Sequence, residues 1–232
     1  MGGPADDLKK AAANWAAAQL EDGMVVGLGS RSTASFAVAE IGRLVKAGLR
    51  IVGVPTSETT AEQARNLGIP LSTLGEHPEI DVTIDGADQV EMRTLNLIKG
   101  GGGNLLREKI VATASKRLVI VVDHGKLVDR LRSQVPVEVA QFGWQSTARM
   151  LAALGSEPVA RVDPEGKMFV TDGGNFILDC AFGPIASPLE IQSRLDATVG
   201  VVEHGLFLGL ASQIVVGDPS GVQLLDSEQG RL

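Results

Sequence analysis

Residues 24–34 read MVVGLGSRSTA, and the passage that they make from an apolar run into a helix decides the fold. Met24 to Leu28 is a short apolar run leading into Gly29, which predicts a buried strand. The segment from Thr33 to Lys46 then places apolar side chains at helical spacing. A strand that passes through glycine and hydroxyl residues into a helix is typical of α/β proteins.

The same passage recurs through the first two-thirds of the chain. Further predicted strands cover residues 49–54, 79–84 and 117–122. Predicted helices cover residues 8–20, a segment that ends at Gly68, and residues 104–115. Strands that alternate with helices predict a mostly parallel sheet with helices on both faces. Ligands of such sheets bind at the carboxyl ends of the strands, so we expect the functional residues there.

The pattern changes after about Leu131. Strands are predicted for residues 135–140, 158–162, 167–171, 175–180 and 199–203, and helices for residues 145–154 and 188–195. Asp172-Gly173-Gly174 predicts a hairpin turn between two of these strands. We therefore expect residues 1–131 to form the α/β domain and residues 132–206 a small α+β domain. Residues 207–232 are then a return segment that completes the first domain.

Composition excludes several classes of function. The net charge is −7 and no long basic run occurs, which argues against nucleic acid as a partner. The single Cys180 has no partner for a disulfide, and the three histidines show no i, i+4 pair, so we expect no metal and no cofactor. No apolar run is long enough for a membrane span, and residues 1–10 lack the apolar region of a secretory signal. We expect a cytoplasmic protein without a membrane partner.

Polar residues follow the first two predicted strands. Ser30, Arg31, Ser32 and Thr33 stand where a helix begins, and the free N–H groups of a helix N-terminus together with hydroxyl and guanidinium groups suit a phosphate. A helix cap in a tight turn explains the same residues equally well. The hydroxyl residues of 56–60, which follow the next strand, are suited either to line a sugar site or to cap a helix, and we favour the capping role.

Charged residues follow the later strands. Asp85 and Asp88 flank Gly86-Ala87, a spacing that fits two carboxylates in one crevice and fits a solvated turn equally well. Lys99 precedes four glycines, whose ordering is costly enough to favour a functional explanation over a structural one. Glu108 lies in the helix that follows, and Lys126 follows the next strand with His124, to which we assign no catalytic role.

Other motif-based functions do not fit. The loop at Gly27 lacks the third glycine of a dinucleotide-binding fingerprint, because Ser32 stands there, and no acidic residue lies about 20 residues further on. The glycine run at 100–103 is followed by Asn104, which excludes a phosphate-binding loop of the ATPase type. No G-x-S-x-G motif of a serine hydrolase occurs.

In combination, the segments GLGSRSTA (27–34), TSETT (56–60), IDGAD (84–88), IKGGGGNLLREK (98–109) and VVDHGK (121–126) resemble the ribose-5-phosphate isomerase A family. The resemblance implies a Rossmann-like domain plus a ferredoxin-like domain, a homodimer or homotetramer, and catalysis without a metal. It also implies an aldose–ketose isomerase of the pentose phosphate pathway. Such an enzyme interconverts D-ribose 5-phosphate and D-ribulose 5-phosphate through an enediolate.

The resemblance also implies roles for residues. Glu108 would be the base that moves a proton between C1 and C2, and Lys99 would stabilise the oxygen that becomes negative. Asp85 and Asp88 would assist ring opening and bind hydroxyls. The substrate-binding residues that it implies are Ser30, Arg31, Ser32, Thr33, Gly86, Ala87, Gly100, Gly101, Gly102, Lys126 and Lys9. All these residues are expected to meet in one pocket, with Glu108 facing the two aspartates.

Three residues depart from the family pattern. Arg31 stands where glycine is usual, so either the loop bends differently or Arg31 adds a phosphate contact. Gln89 replaces the usual glutamate, and His124-Gly125 replaces a small residue followed by serine. The alternative function is a non-catalytic sugar-phosphate sensor of the same superfamily, which would be expected to carry a DNA-binding segment for which the chain has no spare length.

Overall fold

The computed structural model describes residues 3–226. The helices are α1 (Pro4–Ala17), α2 (Arg31–Lys46), α3 (Glu58–Leu67), α4 (Leu105–Thr113), α5 (Trp144–Ala153) and α6 (Pro188–Asp196). The strands of the N-terminal half are β1 (Val25–Leu28), β2 (Val52–Pro55), β3 (Ile80–Asp85), β4 (Gln89–Glu91), β5 (Leu97–Ile98) and β6 (Ser115–Asp123). Those that follow are β7 (Leu127–Val128), β8 (Val135–Val139), β9 (Glu157–Ala160), β10 (Phe176–Ala181), β11 (Val201–His204), β12 (Leu206–Phe207), β13 (Gln213–Asp218) and β14 (Gly221–Asp226).

Two compact units make up the chain. The first unit contains the described residues of Met1–Ala87, Arg107–Leu127 and Gly209–Leu232, and the second contains Asp88–Leu106 and Val128–Leu208. The predicted domain ranges differ mainly in placing residues 88–106 with the first domain, and they also place residues 128–131 and 207–208 there. The short strands β4 and β5 account for the main difference, because they pair with each other and β5 pairs with β12 of the second unit. As ranges of independent domains, those boundaries stay a prediction.

The first unit is built on a six-stranded sheet in the order β14-β13-β6-β3-β1-β2. Five of its strands run parallel, and β14 joins β13 in an antiparallel hairpin at the edge. This arrangement confirms the predicted mostly parallel α/β sheet. The hairpin strand β14 was not anticipated from the sequence.

Alternate residues of β1 show that helices cover both faces of this sheet. Val26 and Leu28 pack in the main apolar core with side chains of α1 and α2. Gly27 points to the opposite face, where an added Cβ would lie 2.8 Å from Val111 of α4. Successive residues of a strand face opposite sides, so α4 lies on the face away from α1 and α2.

The second unit contains a four-stranded sheet in the order β11-β8-β10-β9, in which all neighbours are antiparallel. Its elements follow one another as β8-α5-β9-β10-α6-β11, which is the ferredoxin-like arrangement. Their apolar core includes Val137, Leu151, Leu178 and Cys180. Burial raises the pKa of the Cys180 thiol to about 12, so this thiol stays protonated.

One predicted hairpin differs from the structure. Residues 167–171 form isolated bridges and not a strand, although Val170 pairs with Phe176 and Thr171 donates its N–H to Asn175. The antiparallel strands that pair with β10 are β8 and β9. The turn signal was therefore located correctly, and the strand before it was wrong. Over residues 3–226, the helices are too short or too polar to cross a bilayer.

Candidate active site

The loop between β1 and α2 is fixed by hydrogen bonds to the end of β3. Gly29 donates its N–H to the carbonyl oxygen of Ile84 at 3.0 Å, and Ser30 donates its N–H to Asp85 Oδ1 at 3.1 Å. Asp85 Oδ1 also accepts the N–H of Gly86 at 2.8 Å. Asp85 is only 1% exposed. Through these hydrogen bonds its buried carboxylate connects the end of β3 to the loop after the neighbouring parallel strand β1 in the first unit.

Gly29 lies where no side chain fits. A Cβ built on it would lie 2.3 Å from Asp85 Oδ1 and 2.6 Å from the Asp85 Cα. One of these atoms belongs to the backbone, so the contact cannot be relieved by rotating a side chain. The glycine therefore allows the loop to approach the aspartate closely.

Arg31 occupies an unusual backbone conformation. Its φ angle is 71°, in the left-handed region that glycine favours, and its side chain is exposed at the first residue of α2. This angle gives a physical reason why the sequence pattern described above expects glycine at this position. The loop therefore keeps a conformation suited to glycine although arginine occupies it.

The hydroxyl of Ser30 is buried in a cluster of hydroxyl groups. Its Oγ lies 2.7 Å from Thr56 Oγ1, 2.9 Å from Ser57 Oγ and 3.3 Å from Thr60 Oγ1. Ser57 also caps α3 by accepting the N–H of Thr60 at 3.1 Å, as the sequence predicts. Ser30 thus connects the first loop to the second strand end, whereas Ser32 is exposed and Thr33 is half-buried.

Asp88 belongs to the second unit and contacts the glycine run there. Its Oδ2 accepts the N–H of Gly101 at 2.7 Å, and its own N–H is donated to the carbonyl of Ile98 at 2.8 Å. Two of the glycines have left-handed backbones, with φ angles of 94° at Gly100 and 83° at Gly103. A Cβ on Gly103 would lie 2.4 Å from the ring of Phe169. The glycines therefore lie in a packed environment.

Lys99 is buried where the glycine run begins. It is 3% exposed, its N–H is donated to the carbonyl oxygen of Gly205 at 2.9 Å, and its Nζ lies 5.4 Å from the centroid of the Phe207 ring. An ammonium over an aromatic face is attracted by the ring quadrupole. The ring thus stabilises a cation that burial would otherwise disfavour.

Glu108 lies in α4, the helix that follows the glycine run, and is also 3% exposed. The neighbouring Arg107 points elsewhere and donates from Nη1 to Glu58 Oε1 at 2.8 Å. This hydrogen bond lowers the pKa of the Glu58 carboxyl. The exposed Glu58 is thereby paired with Arg107, while Glu108 is sheltered from water.

The predicted phosphate lysines lie in separate elements of the first unit. Lys126 ends the short 3-10 turn His124–Lys126, in which Asp123 accepts the N–H of Gly125 at 3.0 Å. Lys9 lies in α1 and forms a 3.3 Å ion pair with Asp6. His124 lies 3.9 Å from Asp218, at an exposed position. The Asp123 contact fixes the turn that carries Lys126. That either lysine binds a phosphate stays a prediction.

Gln89 has a structural contact that explains why an amide serves there. Its Oε1 accepts the N–H groups of Arg132 and Ser133 at 2.9 and 3.0 Å. An amide oxygen satisfies both donors without placing a negative charge beside them. The departure at this position therefore leaves a working hydrogen bond acceptor.

The second unit also contains a cluster of two acidic side chains and a histidine that the sequence did not predict. Ligand atoms of Asp196, Glu203 and His204 lie within 4.8 Å of one another. His204 Nδ1 accepts the N–H of Leu206 at 3.2 Å, so Nε2 carries the ring proton and donates it to Asp196 at 3.1 Å. The arrangement is a hydrogen-bonded contact between the end of α6 and β11. Sequence reasoning missed it because Asp196 and His204 show no ligand spacing.

Comparison with known proteins identifies the family. The family model of ribose 5-phosphate isomerase A (phosphoriboisomerase A) matches residues 52–221. The chain is 56% identical over 222 residues to the ribose-5-phosphate isomerase A of Gloeobacter violaceus (strain ATCC 29082 / PCC 7421), a match that covers 95% of this chain and 96% of that protein. The chain belongs to the ribose-5-phosphate isomerase A family. The ribose-5-phosphate isomerase A of Synechococcus sp. (strain JA-3-3Ab) is 53% identical over 224 residues, covering 95% of this chain and 97% of that protein.

A solved ribose-5-phosphate isomerase supports the same conclusion for the fold. The structure of a D-ribose-5-phosphate isomerase in complex with phospho-erythronic acid has a TM-score of 0.93 and 37% sequence identity. The match covers 97% of this chain and 100% of that one. The family and the fold class expected from the sequence motifs are thereby confirmed. The roles of individual residues, and their meeting in one pocket, stay predictions.

Proposed function

We propose that the chain is a metal-independent isomerase that interconverts D-ribose 5-phosphate and D-ribulose 5-phosphate through an enediolate. The observation that carries the proposal is Glu108, a carboxylate that is 3% exposed in the helix directly after the Lys99 glycine run. Family membership, with relatives named ribose-5-phosphate isomerase A, supports the substrate. The reaction belongs to the non-oxidative branch of the pentose phosphate pathway.

Glu108 is the proposed base that removes the proton from C2 of the open-chain aldose and returns it to C1. In the same reaction the hydroxyl proton of O2 is transferred to O1, so that the C1 aldehyde becomes an alcohol and the C2 alcohol becomes the ketone. The enediolate route needs a base at C2 and an acid at C1, and one carboxylate that accepts and then donates the proton can fill both roles. A positioned acid–base group contributes roughly 10²–10⁴-fold to such a step. Its shelter from water prevents exchange of the proton with solvent during the reaction.

Lys99 is the proposed partner of the oxygen that becomes negative in the enediolate. Its ammonium is buried over the Phe207 ring, and a fixed cation stabilises a developing oxyanion most strongly where water is excluded. Asp85 and Asp88 assist ring opening and bind sugar hydroxyls. Each of them also fixes a loop, since Asp85 holds the β1–α2 loop and Asp88 holds Gly101.

The phosphate is proposed to bind at the N-terminus of α2. Arg31, Ser32 and Thr33 supply N–H groups, hydroxyls and a guanidinium there, while Ser30 contributes by fixing the loop through its buried hydroxyl. Lys126 and Lys9 add positive charge, and Gly86, Ala87 and the glycines 100–102 line the sugar. The solved relative with phospho-erythronic acid supports a site for a phosphorylated chain of this kind. Binding energy at the phosphate then helps to order the flexible open-chain sugar.

The decisive experiment compares two Glu→Gln variants. The purified chain is incubated with ribose 5-phosphate and a chelator, and ketose formation is followed. We expect turnover by the wild type and a loss of kcat of about 10³-fold in Glu108→Gln, with KM changed little. Glu138→Gln serves as the matched control, because Glu138 is equally buried, lies in β8 and is bonded to Thr171 and Asn175.

Each outcome separates one part of the proposal. If Glu108→Gln turns over like the wild type, Glu108 is not the base. If the wild type binds ribose 5-phosphate without converting it, the chain is a sugar-phosphate sensor and the enzyme proposal fails. Loss of turnover on chelation contradicts metal independence. A homodimeric or homotetrameric assembly and a cytoplasmic location belong to the same proposal, and sedimentation of the purified chain tests the former.

A further inference from the structure

An arginine that has no assigned role donates hydrogen bonds to the glycine run, residues 100–103. Arg161 follows β9, and its Nη1 donates to the carbonyl oxygens of Gly100 at 3.0 Å and Gly101 at 3.3 Å. The guanidinium is in turn held by Asp179 of β10, which accepts from Nη2 and, at 2.9 Å, from Nε. All these residues belong to the second unit. Their contacts therefore fix the run within that unit.

The glycine run is also held by Asp88 and by an aromatic ring. Asp88 Oδ2 accepts the N–H of Gly101 at 2.7 Å, so the peptides on either side of Gly101 are fixed by a carboxylate and by a guanidinium. Phe169 packs against Gly103 and lies 6.0 Å below the Arg161 guanidinium. A run of glycines loses more conformational freedom on ordering than any other sequence, so such external contacts decide its shape.

Both members of the ion pair are largely sheltered. The side chains of Arg161 and Asp179 are 15% and 20% exposed, so the pair is less screened than a surface pair. The planar guanidinium serves the carboxylate and the two carbonyl oxygens at once. Lysine donates from a single nitrogen on a flexible stem, so it cannot reproduce this planar arrangement of donors. The arrangement therefore depends on arginine in particular, and not merely on a positive charge.

We propose that Arg161 is a positioning residue for the isomerisation, which orders the glycine run through the carbonyl oxygens of Gly100 and Gly101 and thereby places Lys99. Asp179 orients the guanidinium. The inference rests on the proposed function, because Lys99 is the group that benefits. Lys99 directly precedes Gly100, and a displacement of about 1 Å in a catalytic group costs on the order of 100-fold in rate.

The test uses three variants of the pair and one matched control. Arg161→Met removes the hydrogen bonds to the carbonyl oxygens of Gly100 and Gly101 together with the ion pair, whereas Arg161→Lys keeps the positive charge. Asp179→Asn removes the charge of the partner and keeps the hydrogen bonds from Arg161 to the two glycine carbonyls. Arg50→Met is the control, because Arg50 also donates from Nε and Nη2 to a carboxylate, that of Asp22, and belongs to the first unit. For each protein, kcat and KM for ribose 5-phosphate, the melting temperature and amide hydrogen exchange of residues 99–104 are measured.

Arg161→Met is expected to lower kcat by about 30-fold while KM changes by less than about threefold. Exchange at Gly101 and Gly103 speeds up in the same variant. Arg161→Lys should give an intermediate kcat, and Asp179→Asn a fall of about threefold. Arg50→Met should leave kcat, KM and exchange in the run unchanged.

Three results would overturn the inference. One is a kcat of Arg161→Met within about twofold of wild type, and another is an equal fall in Arg50→Met. The third is a change confined to KM, which would make Arg161 a substrate ligand. If Arg161→Met does not fold, Arg161→Lys and Asp179→Asn decide, since unchanged kcat and exchange in both would also overturn it. A wild type that does not isomerise refutes the proposed function, and the exchange data alone then decide whether Arg161 orders the run.

Discussion

The loop before α2 and the loop before α4 both lead from a strand into a helix, but they lie in different units and are fixed by different groups. The first, residues 29–31, is held by the Asp85 carboxylate and by buried hydroxyls around Ser30. The second, residues 99–104, is held by Asp88 and by the Arg161 guanidinium. The first tolerates arginine at a left-handed position, whereas the second has glycine at both of its left-handed positions.

This difference shows that a left-handed angle and a lack of space are separate demands. Arg31 meets only the first demand, since its φ is 71° and its side chain is exposed, and the left-handed angle carries an energetic cost for an L-residue. Gly103 faces both demands, since its φ is 83° and an added Cβ would touch Phe169. Gly29 faces only the second, at the Asp85 carboxylate. Substitutions at these three positions therefore measure the two demands together and singly.

The largest effect is expected for Gly103→Ala. A Cβ there would lie 2.4 Å from Phe169, on a backbone with φ of 83°. Strain and overpacking together should reduce the free energy of unfolding by about 3 kcal/mol. Denaturant unfolding measures this loss, and kcat should fall with it because the run positions Lys99.

Gly166→Ala provides the control for the backbone angle alone. Gly166 has φ of 80° and no atom within 4 Å of an added Cβ, and it lies in the same unit. We expect a loss of about 1 kcal/mol there, with kcat unchanged. If Gly103→Ala and Gly166→Ala lose the same free energy of unfolding, Phe169 moves aside without cost. The packing of Phe169 against the glycine run would then be loose.

The next effect is expected for Gly29→Ala. The new Cβ would approach Asp85 Oδ1 to 2.3 Å and the Asp85 backbone to 2.6 Å, which forces the two strand ends apart. We expect the free energy of unfolding to fall by about 2 kcal/mol, with reduced activity because Asp85 moves. Urea unfolding and ketose formation are the measurements.

Gly75→Ala is the matched control in the same unit, because its added Cβ meets only Thr73 Oγ1, at an ordinary 3.5 Å. It should change the free energy of unfolding by less than about 0.5 kcal/mol. A Gly29→Ala variant as stable and as active as Gly75→Ala would show that the loop has room to shift. The close approach to Asp85 would then have no role in fixing the loop.

The sequence predicts the two loops better than it predicts what holds them. Apolar runs and helical spacing located β1, α2, α4 and the ferredoxin-like elements, because each signal is local along the chain. The grouping of residues 88–106 with the second unit escaped prediction, because β4 and β5 are too short to show a period. The prediction of a strand at residues 167–171 was wrong for a related reason. A turn signal locates the turn, but it does not show which segments pair with the strand that follows it.

The groups that hold the site escaped prediction for another reason. The contacts of Arg161 with Gly100 and of Ser30 with Thr56 join residues far apart in the chain. No motif spacing marks such pairs, so residues of this kind look like ordinary surface or capping groups in the sequence. Ser30 illustrates this, because the three hydroxyl groups around it come from residues 56, 57 and 60, while its contact with the ligand stays a prediction.

The smallest effect is expected at Arg31, where the two demands separate completely. Arg31→Gly removes the strain at φ of 71° but also makes the unfolded chain more flexible. The net gain in the free energy of unfolding should be about 0.5 kcal/mol, since a left-handed L-residue costs about 1–2 kcal/mol. KM for ribose 5-phosphate should rise a few-fold if the guanidinium contacts the phosphate.

Arg31→Ala distinguishes the two contributions, because it loses the guanidinium and retains the strained angle. Both variants should share the rise in KM, and only Arg31→Gly should gain stability. Equal stability of the glycine and alanine variants would show that the angle carries no strain, and an unchanged KM in both would remove Arg31 from the phosphate site.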